Sequence, residues 1–348
     1  MKHFPLFYKC LFIILIVFVS TASLYASGSS ETKDKILNIY AARNYASDEI
    51  AIAQFENVYS ATVNVISGNP RELIARLSAE QENTPADILI APDAGALTQA
   101  QHSGFLQPIS SSIGSFIPSK FKANDNSWIG FTKRARVLIY DPLVTDPTNF
   151  PTYESLATRS DITIATRSSA NAYNVSLIAS RIAELGTDQT IAWVAGLVNN
   201  FAREPQGNDR GQIKLVASGN ADVAISNSYY LGLMIHSQDP AERAIGESLR
   251  IWFPNQDSSG THMNISGAGL IKYTKNKELA EKFIEYLLSE QIQELYTNEN
   301  YEYPVNPAVP PGPTVASWGS FKESNFNLSD LRPYLQEAIN IASQNGWY

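Results

Sequence analysis

Cysteine is all but missing from the 348 residues, the one copy being Cys10. If the N-terminal segment that carries it is removed, the remaining chain can form no disulfide, no thiolate zinc site and no cysteine-ligated iron–sulfur cluster. Any metal must then be held by oxygen or imidazole. Histidine is scarce too, and only His102, His236 and His262 lie beyond the first few residues. There is no G-x-S-x-G, Walker loop, G-x-G-x-x-G or H-E-x-x-H, so catalytic machinery is not written in motif form. Scattered Asp and Glu read as solvated surface. Positive charge is in deficit, with 26 Lys+Arg against 34 Asp+Glu and a formal charge of −8, which argues against a general nucleic-acid-binding surface. No apolar run reaches the roughly 20 residues of a spanning helix.

The longest apolar run, Cys10 to Val19, follows Lys2, His3 and Lys9 and precedes Ser20-Thr21-Ala22-Ser23 and Ala26-Ser27. That is the order of a secretory signal peptide, residues 1–26, and it predicts an extracytoplasmic or periplasmic protein that does not span the membrane once processed. Cys10 precedes the run rather than following it, which favours a soluble product over a lipid-anchored one. The cut site is open, because Leu24 stands where a small residue is usual. Cleavage after Ala26 leaves 24 basic against 34 acidic residues, a charge of −10. Residues 27–35 read as a polar leader.

Strand and helix signals then alternate. Ile36 to Tyr40, Thr62 to Ile66 and Ala86 to Ile90 are short apolar runs of strand length. Between them Ser47-Asp48-Glu49 caps a helix through Phe55, and Pro70 opens one through Glu80. This βαβαβ order implies a parallel sheet with helices on its faces. Ala135 to Tyr140 is a further strand, and Asp141-Pro142, Asp146-Pro147 and Phe150-Pro151 punctuate a linker. A second α/β set follows: a strand Ile162 to Ala165, helices after Tyr173, from Thr187 and from Asp209, and a strand Asp222 to Ile225. Ile251 to Pro254 and Gly267 to Ile271 are extended returns. Lys277 to Leu288, Glu290 to Tyr296 and Leu328 to Ser343 are helical. Two lobes are expected: 36–133 with about 260–310, and 134–259 with about 311–348.

Tyrosine is the abundant chemistry-bearing residue, with 17 copies, two of them adjacent in Asn227-Ser228-Tyr229-Tyr230-Leu231-Gly232. One ring in the core and one on the rim is the plain account. The chemical account is that, without cysteine, phenolate is the oxygen donor best matched to Fe³⁺, and a strand end facing a crevice is where open α/β folds place ligands. A tyrosine-rich cleft also suits organic cations, and an organic solute or anion such as a polyamine, thiamine or phosphonate stays open, as does a secreted enzyme. His262 before a strand is read as structural.

From Ile36 to about Asn306 the chain resembles the periplasmic ferric-iron-binding proteins of iron ABC importers, two-lobed solute-binding proteins of the transferrin-like type. The segments that carry the likeness are Ile39 to Tyr45, Glu72 to Glu80 with Pro85-Ala86-Asp87, and Arg134 to Val137. They continue in Ser169 to Asn174, Gly207 to Arg210, Asn227 to Gly232, Gly260 to Gly267 and Glu302 to Val305. The resemblance implies a type II periplasmic-binding-protein fold, each lobe a sheet flanked by helices, closing by hinge motion around iron in the interlobe cleft. It implies a non-enzymatic monomer, with an importer permease and ATPase as partners. Tyr229 and Tyr230 match the family's paired ligands, Tyr173 a third from the same lobe and Tyr45 one from the first lobe. Asn44 departs from the pattern, standing where a histidine ligand is expected. Arg43, Arg134 or Arg136 is then a candidate to hold a synergistic anion such as carbonate.

Overall fold

The computed structural model describes residues 35–348. The expected signal peptide and all but the last residue of the leader lie outside the described residues. Strands β1 (Ile36–Ala41), β2 (Thr62–Ser67) and β3 (Ile88–Ala91) alternate with helices α1 (Ala46–Tyr59) and α2 (Pro70–Glu80). β1 lies between β2 and β3 and is parallel to both. Helix α2 starts as its sequence spells out: the Asn69 side chain accepts the Glu72 N–H at 3.0 Å, the Glu72 carboxylate accepts the Asn69 N–H at 3.1 Å, and Pro70 follows the cap. Helix α1 corrects the expectation. Tyr45, not Ser47, holds the cap position, and its N–H donates to the Asp48 carboxylate at 2.9 Å. Asp48 wins because Arg43 also grips it, at 2.9 Å.

After α3 (Ala94–His102) comes β4 (Trp128–Tyr140), a 13-residue strand that is about twice the common length. The sequence predicts a strand only from Ala135, because Lys133 and Arg134 break the apolar run. The structure extends it back seven residues, since internal carboxylates neutralise those cations (below). Two sheets share β4. Its first half, with a bulge between Gly130 and Thr132, pairs antiparallel with β8 (Met263–Leu270) and β9 (Tyr303–Pro304). β8 also pairs with β3, joining β4 to the β2-β1-β3 ladder. Its second half, from Arg136, pairs antiparallel with β6 (Val223–Asn227) on one side and β7 (Arg250–Trp252) on the other, and β5 (Ile164–Ala165) is parallel to β6.

β8 starts four residues before the expected Gly267. A Cβ at Gly267 would sit 2.6 Å from a Leu97 methyl and 2.9 Å from the Ile129 carbonyl, so only glycine lets α3 approach the strand. At the changeover between sheets three segments run side by side: Arg136 donates its N–H to the His262 carbonyl, Thr261 to that of Lys322, and Ser324 to that of Thr261, each at 2.9 Å.

Helices α4 (Ala172–Leu185), α5 (Thr187–Asn199), α6 (Asp209–Ala217) and α7 (Ser228–Ile235) cover the β5-β6 side, while α8 (Lys277–Leu287) and α9 (Glu290–Glu299) follow β8. The last helix, α10 (Arg332–Gln344), starts four residues later than expected, because Leu328 to Asp330 form a separate 3₁₀ turn before Pro333. It packs on α4. Behind it Trp347 is fully buried and donates Nε1–H to the Arg167 carbonyl at 2.8 Å, which steadies the loop leading to Tyr173. Among the described residues no helix is long and apolar enough to cross a membrane.

Candidate metal centre

Each sequence-predicted tyrosine sits at a helix start. Tyr45 caps α1, Tyr173 is the second residue of α4 behind an Asn171 cap whose side chain accepts its N–H at 3.1 Å, and Tyr229 and Tyr230 lie in the first turn of α7. Free N–H groups and the positive end of the helix dipole gather there, which favours anionic oxygen.

The structure brings these phenols together. The Tyr45 and Tyr229 hydroxyls are 3.0 Å apart and their rings meet edge to face, with centroids 6.2 Å apart. The rings of Tyr229 and Tyr230 lie 4.2 Å apart, tilted by 30°. Tyr229 is buried and Tyr230 is partly exposed, so the core-and-rim account and the chemical account both describe the pair. Burial, then the neighbouring Tyr173 phenol and Glu302, pushes Tyr45 up to about 12 despite Arg43. Burial, then Tyr173, Tyr45 and Tyr230, holds Tyr229 well above the ordinary phenol range. Tyr230 is raised by burial, Asp209, Tyr173 and Tyr45. These three phenols keep their protons at neutral pH unless a cation displaces them.

The arginines are bound inside the protein. Arg43 donates through Nε to Asp48 at 2.9 Å and through Nη1 to Glu302 at 2.8 Å, and its guanidinium carbon lies 4.7 Å from the Tyr45 ring centroid. Arg134 pairs with the other Glu302 oxygen at 3.2 Å and lies 5.0 Å from the Tyr173 ring centroid. Burial alone would raise Glu302, but Arg43 and Arg134 hold it below the usual carboxylate range. Arg136 reaches Asp209 at 3.1 Å, Asn227 at 3.2 Å and Asn174 at 2.6 Å. It thereby ties the starts of α6, α7 and α4 together and sets Tyr173 and Tyr229 relative to one another. Asn44 is exposed beside Tyr45.

A cleft of about 470 Å³ opens beside these phenols, lined by Tyr45, Ser47, Asn208, Arg210, Tyr230 and Asn300 among others. Sequence reasoning missed Glu302, Asp48, Asp209 and Arg210 as parts of the site. Nothing in a sequence distinguishes a carboxylate buried between arginines from one on a solvated face; the one available signal was the surplus of cations on β4 in an otherwise apolar strand. Among the described residues no cluster of His, Cys, Asp and Glu is arranged to hold a metal. His262 is buried, its N–H donates to the Tyr153 hydroxyl at 3.2 Å, and Arg181 and Arg136 lie close enough to disfavour its charge.

Residues 37–301 match the family of bacterial extracellular solute-binding proteins. The chain is 43% identical over 313 residues to iron uptake protein A1 of Synechocystis, covering 89% of this chain and 87% of that one. Its fold superposes on the ferric binding protein of Campylobacter jejuni with a TM-score of 0.86 at 40% identity, covering 90% of this chain and 100% of the other. A Trichodesmium protein (IdiA, FutA) solved in complex with iron and citrate is equally similar, with a TM-score of 0.86 at 41% identity and coverage of 90% and 100%.

Proposed function

This chain belongs to the bacterial extracellular solute-binding proteins, in the group of periplasmic ferric-iron-binding members, and on that premise we propose that it captures Fe³⁺ through the phenolates of Tyr45, Tyr173, Tyr229 and Tyr230. The observation that carries the reading is the convergence of tyrosines from both sheets, with Tyr45 and Tyr229 at 3.0 Å, at helix starts beside an open cleft. Four phenolates around Fe³⁺ leave a local charge of −1. Arg43 and Arg134, against the Tyr45 and Tyr173 rings, are balanced by Asp48 and Glu302; the surplus positive charge that offsets it lies at Asp209, which Arg136 and Arg167 share.

The lobes of this reading are 36–133 with about 260–310 and 134–259 with about 311–348, turning about the changeover in β4. Tyr45 then belongs to the first lobe and the other three to the second, so iron bridges the lobes and favours closure. The closed form is what the permease and ATPase of an importer would recognise outside the cytoplasm, after removal of a signal peptide. Capture and delivery need no catalytic step.

An exogenous anion completes the coordination in this reading, because Asn44 supplies no imidazole. Arg43, Arg134 and Arg136 already pair with internal carboxylates. The anion's proposed partner is Arg210 on the cleft wall, which also pairs with Glu242 at 3.2 Å but keeps its side chain more than a third exposed, and the iron and citrate in the Trichodesmium relative make carbonate or a small carboxylate the natural choice. Titration of the metal-free protein with ferric citrate tests the whole. A tyrosinate-to-iron charge-transfer colour saturating at one iron per chain is expected, and no colour contradicts it.

A further inference from the structure

Arg43 and Arg134 face the rings of two different ligand tyrosines, and one carboxylate holds both guanidiniums. Glu302 is 1% exposed; its Oε2 accepts from Arg43 Nη1 at 2.8 Å and its Oε1 from Arg134 Nη1 at 3.2 Å. Thr132 Oγ1 at 3.0 Å and Asn300 Nδ2 at 3.1 Å complete its hydrogen bonds. The two cations are close neighbours, because both also donate to the hydroxyl of Ser266, Arg43 at 2.8 Å and Arg134 at 2.9 Å. Two like charges sharing one buried hydroxyl repel strongly unless an anion lies between them.

The surroundings make the arrangement rigid. Arg43 also stacks near the rings of Phe131 and Tyr296, with its guanidinium carbon 5.2 Å and 4.9 Å from their centroids. Arg134 donates Nη2–H to the Ile265 carbonyl at 2.9 Å. Glu302 stands two residues after the Asn300 that lines the cleft and directly before β9, which pairs with β4 at Thr132 and Lys133. It therefore sits where the cleft wall meets the shared strand.

We propose that Glu302 is a positioning residue for iron capture: a single buried carboxylate fixes the guanidinium against Tyr45 and the one against Tyr173, and so sets the charge felt by phenolates from both sheets. The proposal rests on the tyrosine-ligation reading above. A cation near a ring face acts on the π electrons that a phenolate donates to iron, so its placement alters the electronic spectrum of the bound metal without touching it.

The test loads the full chain, wild type and Glu302→Gln, with iron from ferric nitrilotriacetate and records the charge-transfer maximum and the iron retained against citrate. Glu302→Gln keeps the shape and removes the charge. It is expected to displace the maximum and to lower retention at least about ten-fold, while Glu302→Asp returns the maximum toward the wild-type position. If Glu302→Gln fails to fold, Ser266→Ala, which removes the hydroxyl both guanidiniums share, is expected to displace the maximum in its place. A variant that folds with an unmoved maximum and unchanged retention, whatever its melting temperature, overturns the proposal while leaving the ligation reading intact. Absence of any band in the wild type overturns the ligation reading, and this proposal with it.

Discussion

The hydroxyl of Tyr45 stands 3.0 Å from that of Tyr229, although Tyr45 follows β1 in one sheet and Tyr229 follows β6 in the other. β4 pairs in both sheets and so joins the two. A cation held between these oxygens ties the sheets together. Small-angle scattering should therefore show a smaller radius of gyration with Fe³⁺ than without it, and Tyr45→Phe should lessen the compaction while leaving weak binding by the remaining tyrosines. Equal dimensions with and without iron, with colour confirming loading, would assign the site to one side of the cleft.

Asn44 gives a gain-of-function test. It is exposed, immediately precedes Tyr45 and supplies an amide where an imidazole would ligate. Asn44→His should tighten ferric binding or abolish any dependence on carbonate or citrate. Isothermal titration in the presence and absence of each anion decides it, and no change in either quantity places the residue outside the metal's reach.

The raised phenols fix the sign of the pH dependence. Tyr45 is pushed up to about 12, and Tyr229 and Tyr230 are also raised, first by burial and then by neighbouring groups (Tyr173, Tyr45 and Tyr230 for Tyr229; Asp209, Tyr173 and Tyr45 for Tyr230), so they begin protonated across the neutral range. Iron must expel those protons. Corrected for the citrate competitor, log affinity should rise with pH between 6 and 8 with a slope of at least about three, one for each of these phenolates formed. Acid should release the metal, with colour and compaction lost together. A flat profile would mean that phenols do not bind the iron.

His262 makes a separate prediction for the metal-free fold. It is 1% exposed, its Nε2 finds no partner among the described residues, and burial with Arg181 and Arg136 lowers it to about 3. The unfolded chain takes up that proton near pH 6.5 and the folded one does not. Its contribution is thus complete above about pH 6.5 and drains away at about 1.4 kcal/mol per pH unit as pH falls toward 3. Urea unfolding at pH 7, 6, 5 and 4 should show that limb, and His262→Gln should flatten it relative to wild type whatever its own stability at pH 7.

The sequence disclosed the parts that rest on local signals and concealed those that depend on burial. The βαβαβ opening was legible because its apolar runs alternate with capped amphipathic helices, and Asn69-Pro70 marks the start of α2 on its own. The tyrosines stood out because cysteine and histidine were so few. The first half of β4 was not legible: Lys133 and Arg134 look like a solvated stretch until Glu323 and Glu302 are placed beside them. The same blindness hid Glu302 as the centre of the charge network. It also made Arg43 and Arg134 look free to clamp an anion, when each already faces a carboxylate and an aromatic ring.

The central claim is that phenolates of this chain bind ferric iron, and the visible spectrum of the iron-loaded protein tests it most directly. The account predicts a tyrosinate-to-iron charge-transfer band in the wild type. Tyr230→Phe should weaken binding by at least about ten-fold, or about 1.4 kcal/mol, and Tyr229→Phe with Tyr230→Phe together should abolish the band. Full iron loading with no such band, or an unchanged band and affinity in the double variant, would contradict it.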